Sequence, residues 1–101
     1  MQSPSVQKTV VINNPQGLHA RPVELLVRLA LQFKSDVEVI RDDQRVDAKS
    51  ILHVLTLGAS QGTEVTLHAQ GADAQDAVEA IVRLIESDFA TDETMSQGSS
   101  S

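Results

Sequence analysis

Apolar positions along this chain follow two periods, and the switches between them mark seven predicted elements. Val6 to Ile12 is partly alternating and rich in β-branched residues, which predicts a first strand. Asn13-Asn14-Pro15-Gln16-Gly17 reads as loop. From about Ala20 to Gln32 the spacing becomes helical, with Leu25, Leu26, Leu29, Ala30 and Phe33 as the apolar stripe. Glu24, Arg28 and Gln32 take the opposite face, with Glu24 and Arg28 in the favourable i,i+4 order. Asp36 to Arg41 predicts a strand with Val37 and Val39 on one face, and Asp42-Asp43 turns it into a short strand, Gln44 to Asp47. Ser50 to Leu57 predicts a short helix that stops at Gly58. The plainest alternation follows in Glu64 to Gln70, where Val65, Leu67 and Ala69 point inward and Glu64, Thr66, His68 and Gln70 face water. A last helix starts at Asp73, an N-cap residue with Asp76 three positions on. It buries Ala74, Ala77, Val78, Ile81, Leu84 and Ile85.

The order βαββαβα, with strands that are polar on one face, predicts an α+β fold: a four-stranded antiparallel sheet covered by helices on one side. The periodicity stops near Phe89, which predicts a single domain over residues 1–88 and a disordered tail over 89–101.

Composition narrows the function. With 101 residues, 41% of them hydrophobic, the chain builds one small core and not two ordinary domains. No cysteine is present, which excludes disulfides and thiolate chemistry. His19, His53 and His68 lack metal-ligand spacing, so no metal is expected. A net charge of −6 and only two aromatics, Phe33 and Phe89, argue against nucleic-acid binding. The sequence has no apolar run of about 18 residues and no signal-peptide pattern, so a cytoplasmic protein without membrane insertion is expected. Glycine-rich phosphate loops, paired-carboxylate sites and nucleophile elbows are also missing.

Candidate chemistry concentrates in Gly17-Leu18-His19-Ala20-Arg21-Pro22. Pro22 suits the first turn of a helix, where its missing N–H is not needed. His19 then sits at unsatisfied backbone N–H groups and the positive end of the helix dipole, a setting that favours neutral imidazole and a nearby anion. Neutral imidazole is a nucleophile, and those N–H groups with the Arg21 guanidinium could hold a phosphoryl group. The same spacing also fits an ordinary capping or surface histidine. Ser50 is the predicted N-cap of the short helix; a phosphate there would meet free N–H groups, although capping alone explains a serine at that position. In that helix Val54 and Leu57 can serve the core, leaving Ile51, Leu52 and Leu55 as a second stripe. Two readings fit it, a partner surface or a helix buried all round. Nothing makes His53 or His68 catalytic.

Three blocks carry a family resemblance: Asn14-Pro15-Gln16-Gly17-Leu18-His19-Ala20-Arg21-Pro22, then Val46-Asp47-Ala48-Lys49-Ser50-Ile51, then Leu55-Thr56-Leu57-Gly58 with Gln61-Gly62. In this order, over about residues 6–88, the chain resembles HPr, the histidine-containing phosphocarrier of the bacterial phosphoenolpyruvate–sugar phosphotransferase system. The resemblance implies an open-faced β/α sandwich with three helices on one face. It implies that His19 accepts a phosphoryl group at Nδ1 from phosphorylated enzyme I and passes it to enzyme IIA domains of sugar permeases, with Arg21 steadying it. It further implies a monomeric carrier without cofactor, not a turnover enzyme. Ile51, Leu52 and Leu55 match the family's partner surface beside the histidine. Ser50 matches the serine that an HPr kinase/phosphorylase modifies in many members. Glu24 departs from the family's small or neutral residue and adds an acidic group near the docking surface, which implies slower or more selective transfer. His53 departs from a commonly small or basic residue. The alternative is an HPr-like regulatory binding protein in carbon or nitrogen control, without transport flux; the presence of His19 with Arg21 speaks against it.

Overall fold

A computed structural model describes residues 4–90. The alternation and helical spacing resolve into β1 (Ser5–Val11), α1 (Ala20–Ala30), β2 (Asp36–Arg41), β3 (Gln44–Asp47), α2 (Ile51–Leu55), β4 (Glu64–Gln70) and α3 (Ala74–Glu86). The bounds of β2, β3 and β4 are those the sequence predicts. Both α1 and α2 are shorter than predicted because their last turns tighten. Gln32 and Phe33 donate to the carbonyls of Leu29 and Ala30, and Thr56, Leu57 and Gly58 to those of His53, Val54 and Leu55. These are i→i−3 bonds of the 3₁₀ kind.

The strands form one antiparallel sheet in the order β1-β4-β2-β3. Register aligns Val46 with Val39 and Val39 with Leu67, and likewise Val37 with Ala69. One face of the sheet is therefore a continuous apolar floor, all of it buried. Ile81, Ile85, Val78 and Ala77 of α3 and Val23, Leu26 and Ala30 of α1 close the core over it. The predicted stripe of α1 holds at Leu26 and Ala30, which are buried, but its flank is Val23 and Val27, also buried, whereas Leu25, Leu29 and Phe33 pack half-buried at the margin. In α3, Val82 is buried in place of the predicted Leu84.

The other face is open and polar. Ser5 Oγ lies 3.0 Å from His68 Nε2, His68 Nδ1 lies 3.6 Å from Glu38 Oε1, and Arg45 Nη2 donates to Glu38 at 2.9 Å. This row crosses all four strands and pairs their side chains laterally.

Phe89, at the head of the predicted tail, belongs to the core at 8% exposure. Asp88 and Phe89 both adopt positive φ, and Phe89 N–H bonds the Leu84 carbonyl, which folds the chain back at the end of α3. The remainder of the predicted tail, residues 91–101, lies outside the described residues.

Asp73 does stand at the N-cap of α3, but its side chain does not cap it. Its carboxylate accepts from Lys34 N–H at 2.8 Å, Ser35 N–H at 2.9 Å and the Ser35 hydroxyl, stapling the α1–β2 loop to the start of α3. The Ser35 hydroxyl first, and then the Lys34 N–H, stabilise the charged form and lower the Asp73 pKa from 3.8 to about 2. A carboxyl whose pKa is depressed on folding contributes stability above its unfolded pKa and loses it as pH falls through the folded value. Asp73→Asn is therefore expected to lower Tm at neutral pH. Its deficit against wild type should close as pH falls from 3.8 to about 2. A deficit in thermal melts that stays constant across this window would refute the role of the charge.

Candidate functional site

The site begins with a turn that only glycine can close. Asn14 is buried, and its Nδ2 donates to the Gly17 carbonyl at 2.6 Å while Gly17 N–H donates to the Asn14 carbonyl at 2.9 Å. Gly17 takes φ +67, and a Cβ there would stand 2.5 Å from the Ala59 carbonyl oxygen and 2.7 Å from Ser60 Cα. The loop after α2 buttresses this turn throughout. Leu18 N–H donates to Ala59 at 2.8 Å, Gln61 Nε2 to the Asn13 carbonyl at 3.0 Å, and Gly62 N–H to Ile12 at 2.7 Å. The Gln61-Gly62 pair thus holds the loop that carries the histidine.

Leu18 is buried as an anchor, and the next residue, His19, emerges exposed as the N-cap of α1. It caps with its backbone: its carbonyl accepts from Val23 N–H at 3.0 Å, and the ring makes no capping bond. The capping reading of the His19 side chain is thereby removed. Ala20, Arg21 and Pro22 form the first turn, with Pro22 buried at the third helical position. Backbone N–H groups of a first turn have no carbonyl partner within the helix, so they and the dipole favour an anion at this end.

Arg21 lies two residues beyond the histidine, and its Nη1 bonds Glu24 Oε1 at 2.8 Å. Arg28 Nη2, the partner predicted for Glu24 by spacing, is 3.9 Å from Glu24 Oε2. The i,i+3 contact to Arg21 is thus the closer of the two.

Ser50 caps α2, its hydroxyl oxygen accepting from His53 N–H at 3.3 Å. His53 Nδ1 accepts from Asp47 N–H at 2.9 Å, which closes the β3–α2 corner. Lys49 Nζ reaches the Phe33 carbonyl at 2.8 Å. The start of α2 is therefore tied near the end of α1, while the segment leaving α2 lies beside Leu18 at the start of α1. The two helices run in opposite senses, with Ser50 and His19 toward opposite ends of the pair. Of the two readings of α2, the exposed stripe holds: Leu52 is 78% and Ile51 42% exposed, Leu55 is half-buried, and Val54 and Leu57 are buried.

The open sheet face carries a cleft of about 390 Å³ lined by Glu38, Arg45, His53 and His68 among others. Its polar groups are engaged with one another in the lateral row and the corner bond. Among the described residues no cluster of three His, Asp or Glu side chains could hold a metal ion, and no helix is long and apolar enough to cross a membrane.

A family model described as the PTS HPr component phosphorylation site matches residues 6–87. The chain is 44% identical over 81 residues to the HPr-like protein Crh of Bacillus subtilis (strain 168), covering 80% of this chain and 95% of that protein. It is 43% identical over 84 residues to phosphocarrier protein HPr of Treponema pallidum (strain Nichols), covering 83% and 96%. The crystal structure of HPr-C-His from Thermoanaerobacter tengcongensis superposes with a TM-score of 0.81 at 46% identity, over 83% of this chain and 94% of that one.

Proposed function

The chain belongs to the HPr family of phosphocarrier proteins, and we propose that His19 accepts a phosphoryl group at Nδ1 from phosphorylated enzyme I and passes it to enzyme IIA domains of sugar permeases. The observation that carries this reading is the His19 ring itself, exposed at the start of α1 and not spent on capping it. In the accepting step the phosphorus–nitrogen bond of the donor breaks with its electron pair left on the donor nitrogen. The Nδ1 lone pair of His19 forms the new bond to phosphorus, and the onward step repeats this exchange with His19 as donor. No oxidation and no cofactor are involved. Such transfers need in-line placement and charge stabilisation more than covalent machinery. The first-turn N–H groups and the Arg21 guanidinium supply the charge stabilisation. The protein works as a single chain that docks on one partner at a time.

Ile51 and Leu52, with the half-buried Leu55, form the apolar docking patch on α2. Ser50 at its head is the regulatory site, modified by an HPr kinase/phosphorylase. Phosphate adds about two negative charges there and opposes docking on an acidic surface of enzyme I. Ser50→Asp is expected to weaken enzyme I binding several-fold by calorimetry, and equal affinity would count against this role.

Phosphorus NMR tests the carrier reading directly. Full-length protein mixed with phosphoenolpyruvate and catalytic enzyme I should develop an Nδ1-phosphohistidine resonance, and a competent enzyme I that produces none removes the reading. The identity to Crh, named as an HPr-like protein, favours a second one. In it the chain acts in carbon or nitrogen control through Ser50 without transport flux, and only serine phosphorylation would be seen.

A further inference from the structure

The guanidinium assigned to the phosphoryl group is already engaged. Arg21 Nη1 lies 2.8 Å from Glu24 Oε1, and the other carboxylate oxygen of Glu24 stands 3.9 Å from Arg28 Nη2. The three side chains lie along one face of α1, at i−3 and i+4 about Glu24, and are 52%, 38% and 64% exposed from Arg21 to Arg28. The order of charges along the helix is thus cation, anion, cation, and the first cation is the one nearest His19.

Building on the carrier reading, we propose that Glu24 is a positioning residue that competes with the phosphoryl group for Arg21 and so keeps phosphorylated His19 ready to give it up. The phosphoryl group on Nδ1 is close to a dianion, and Arg21 can serve it fully only by loosening its bond to Glu24. A carboxylate within hydrogen-bond reach of the same guanidinium discounts the attraction whether it is displaced or shared. That discount matters in one direction. The loose, metaphosphate-like transition state leaves less charge on the phosphoryl oxygens than the bound dianion carries. A cation clamped on those oxygens therefore stabilises the phosphorylated protein more than the transfer itself, which would trap the cargo. Glu24 weakens the clamp while leaving Arg21 in place to orient the group.

Glu24 thereby sets how the phosphoryl group is shared at equilibrium between donor and carrier. The phosphorus–nitrogen bond broken on enzyme I is replaced by one on His19, and no other bond changes. This partition between free proteins is independent of docking affinity, which alters only the rate, so a purely docking or folding role of Glu24 would not move it.

The test is the partition of phosphoryl group between enzyme I and full-length carrier, measured by phosphorus NMR with limiting phosphoenolpyruvate. Glu24→Gln is expected to shift the equilibrium toward the phosphorylated carrier by about fivefold, the scale of an exposed ion pair. In an Arg21→Ala background the same substitution should shift it not at all, since the coupling runs through the guanidinium. At about 0.5 M salt the wild-type difference should shrink, because screening weakens exposed pairs. An unshifted or reduced partition in Glu24→Gln overturns the proposal, and so does an undiminished shift in the Arg21→Ala background. If the wild-type chain accepts no phosphoryl group, the carrier reading fails and this one with it. If it accepts one and the partition does not respond to Glu24, only the role of Glu24 fails.

Discussion

His19→Ala is expected to remove phosphoenolpyruvate-dependent labelling completely while leaving the protein folded. Both halves follow from how His19 is held. Its bonds to the fold are made by its backbone, the carbonyl accepting from Val23 N–H and the N–H donating to the Gly17 carbonyl, and alanine keeps both. The ring makes no capping bond, so its loss changes stability by no more than about 0.5 kcal/mol, as for an ordinary surface substitution. The remaining histidines do not substitute for it. His53 spends Nδ1 on the Asp47 N–H, and His68 lies between Ser5 and Glu38 on the open face of the sheet. Neither stands at a helix start beside an arginine. Residual label at the wild-type level, with an unchanged circular dichroism melt, would refute the assignment of His19.

Gly17→Ala carries the largest expected cost to the fold, and the site goes with it. Two penalties combine. The residue sits at φ +67, where a side chain is strained. The added Cβ also meets backbone on its far side, at 2.5 Å from the Ala59 oxygen and 2.7 Å from Ser60 Cα, and backbone cannot swing away as a flexible side chain can. Together these should destabilise the protein by about 3 kcal/mol. For a domain of this size that corresponds to a Tm lowered by roughly 12–24 °C. Gly62→Ala is the matched control, because Gly62 also has positive φ, +90, but nothing lies within 4 Å of its added Cβ. A Gly17→Ala melt no lower than that of Gly62→Ala would show that the contact with Ala59 and Ser60 yields freely. Phosphoryl acceptance should fall in Gly17→Ala even below its melting range, since the Leu18–Ala59 bond that aims His19 must move.

Where alternation was unbroken, the sequence was sufficient. Asp36–Arg41, Gln44–Asp47 and Glu64–Gln70 are strands with the predicted bounds, because each inward residue meets an inward partner across the sheet. Helix faces were less legible. In α1, Leu25 and Leu29 weigh as much in a pattern as Val23 and Val27, and only the position of the other layers decides which pair is buried. The burial of Phe89 depends on two consecutive left-handed residues, neither of them glycine, so no turn signal announces it. Asp73 reads as a cap, yet its carboxylate goes to Lys34 and Ser35, nearly forty positions upstream. In the site, His19, Arg21 and Ser50 stand out by residue type and by their place at helix starts. The Ala59–Leu18 buttress is a contact between backbones and leaves no trace in side-chain identity. The Arg21–Glu24 pair had the right spacing, but the equally good spacing of Glu24 to Arg28 obscured it.

The strand order β1-β4-β2-β3 has a consequence for how the protein is made. Ser5 pairs with Gln70 and Val11 with Glu64, so the first strand synthesised has no partner until the fourth has emerged. The fourth is also the partner of β2, which leaves every nascent chain short of it with only the β2–β3 hairpin of the sheet. At roughly 5–20 residues per second on the ribosome, β1 waits several seconds with its backbone unpaired. Closing so long a loop is slow, and the sheet then completes in one late step. The run Gln7-Lys8-Thr9 between the valines of β1 has a use during that wait, because an unpaired strand carrying polar and charged side chains is a poorer template for a neighbouring chain than an apolar one.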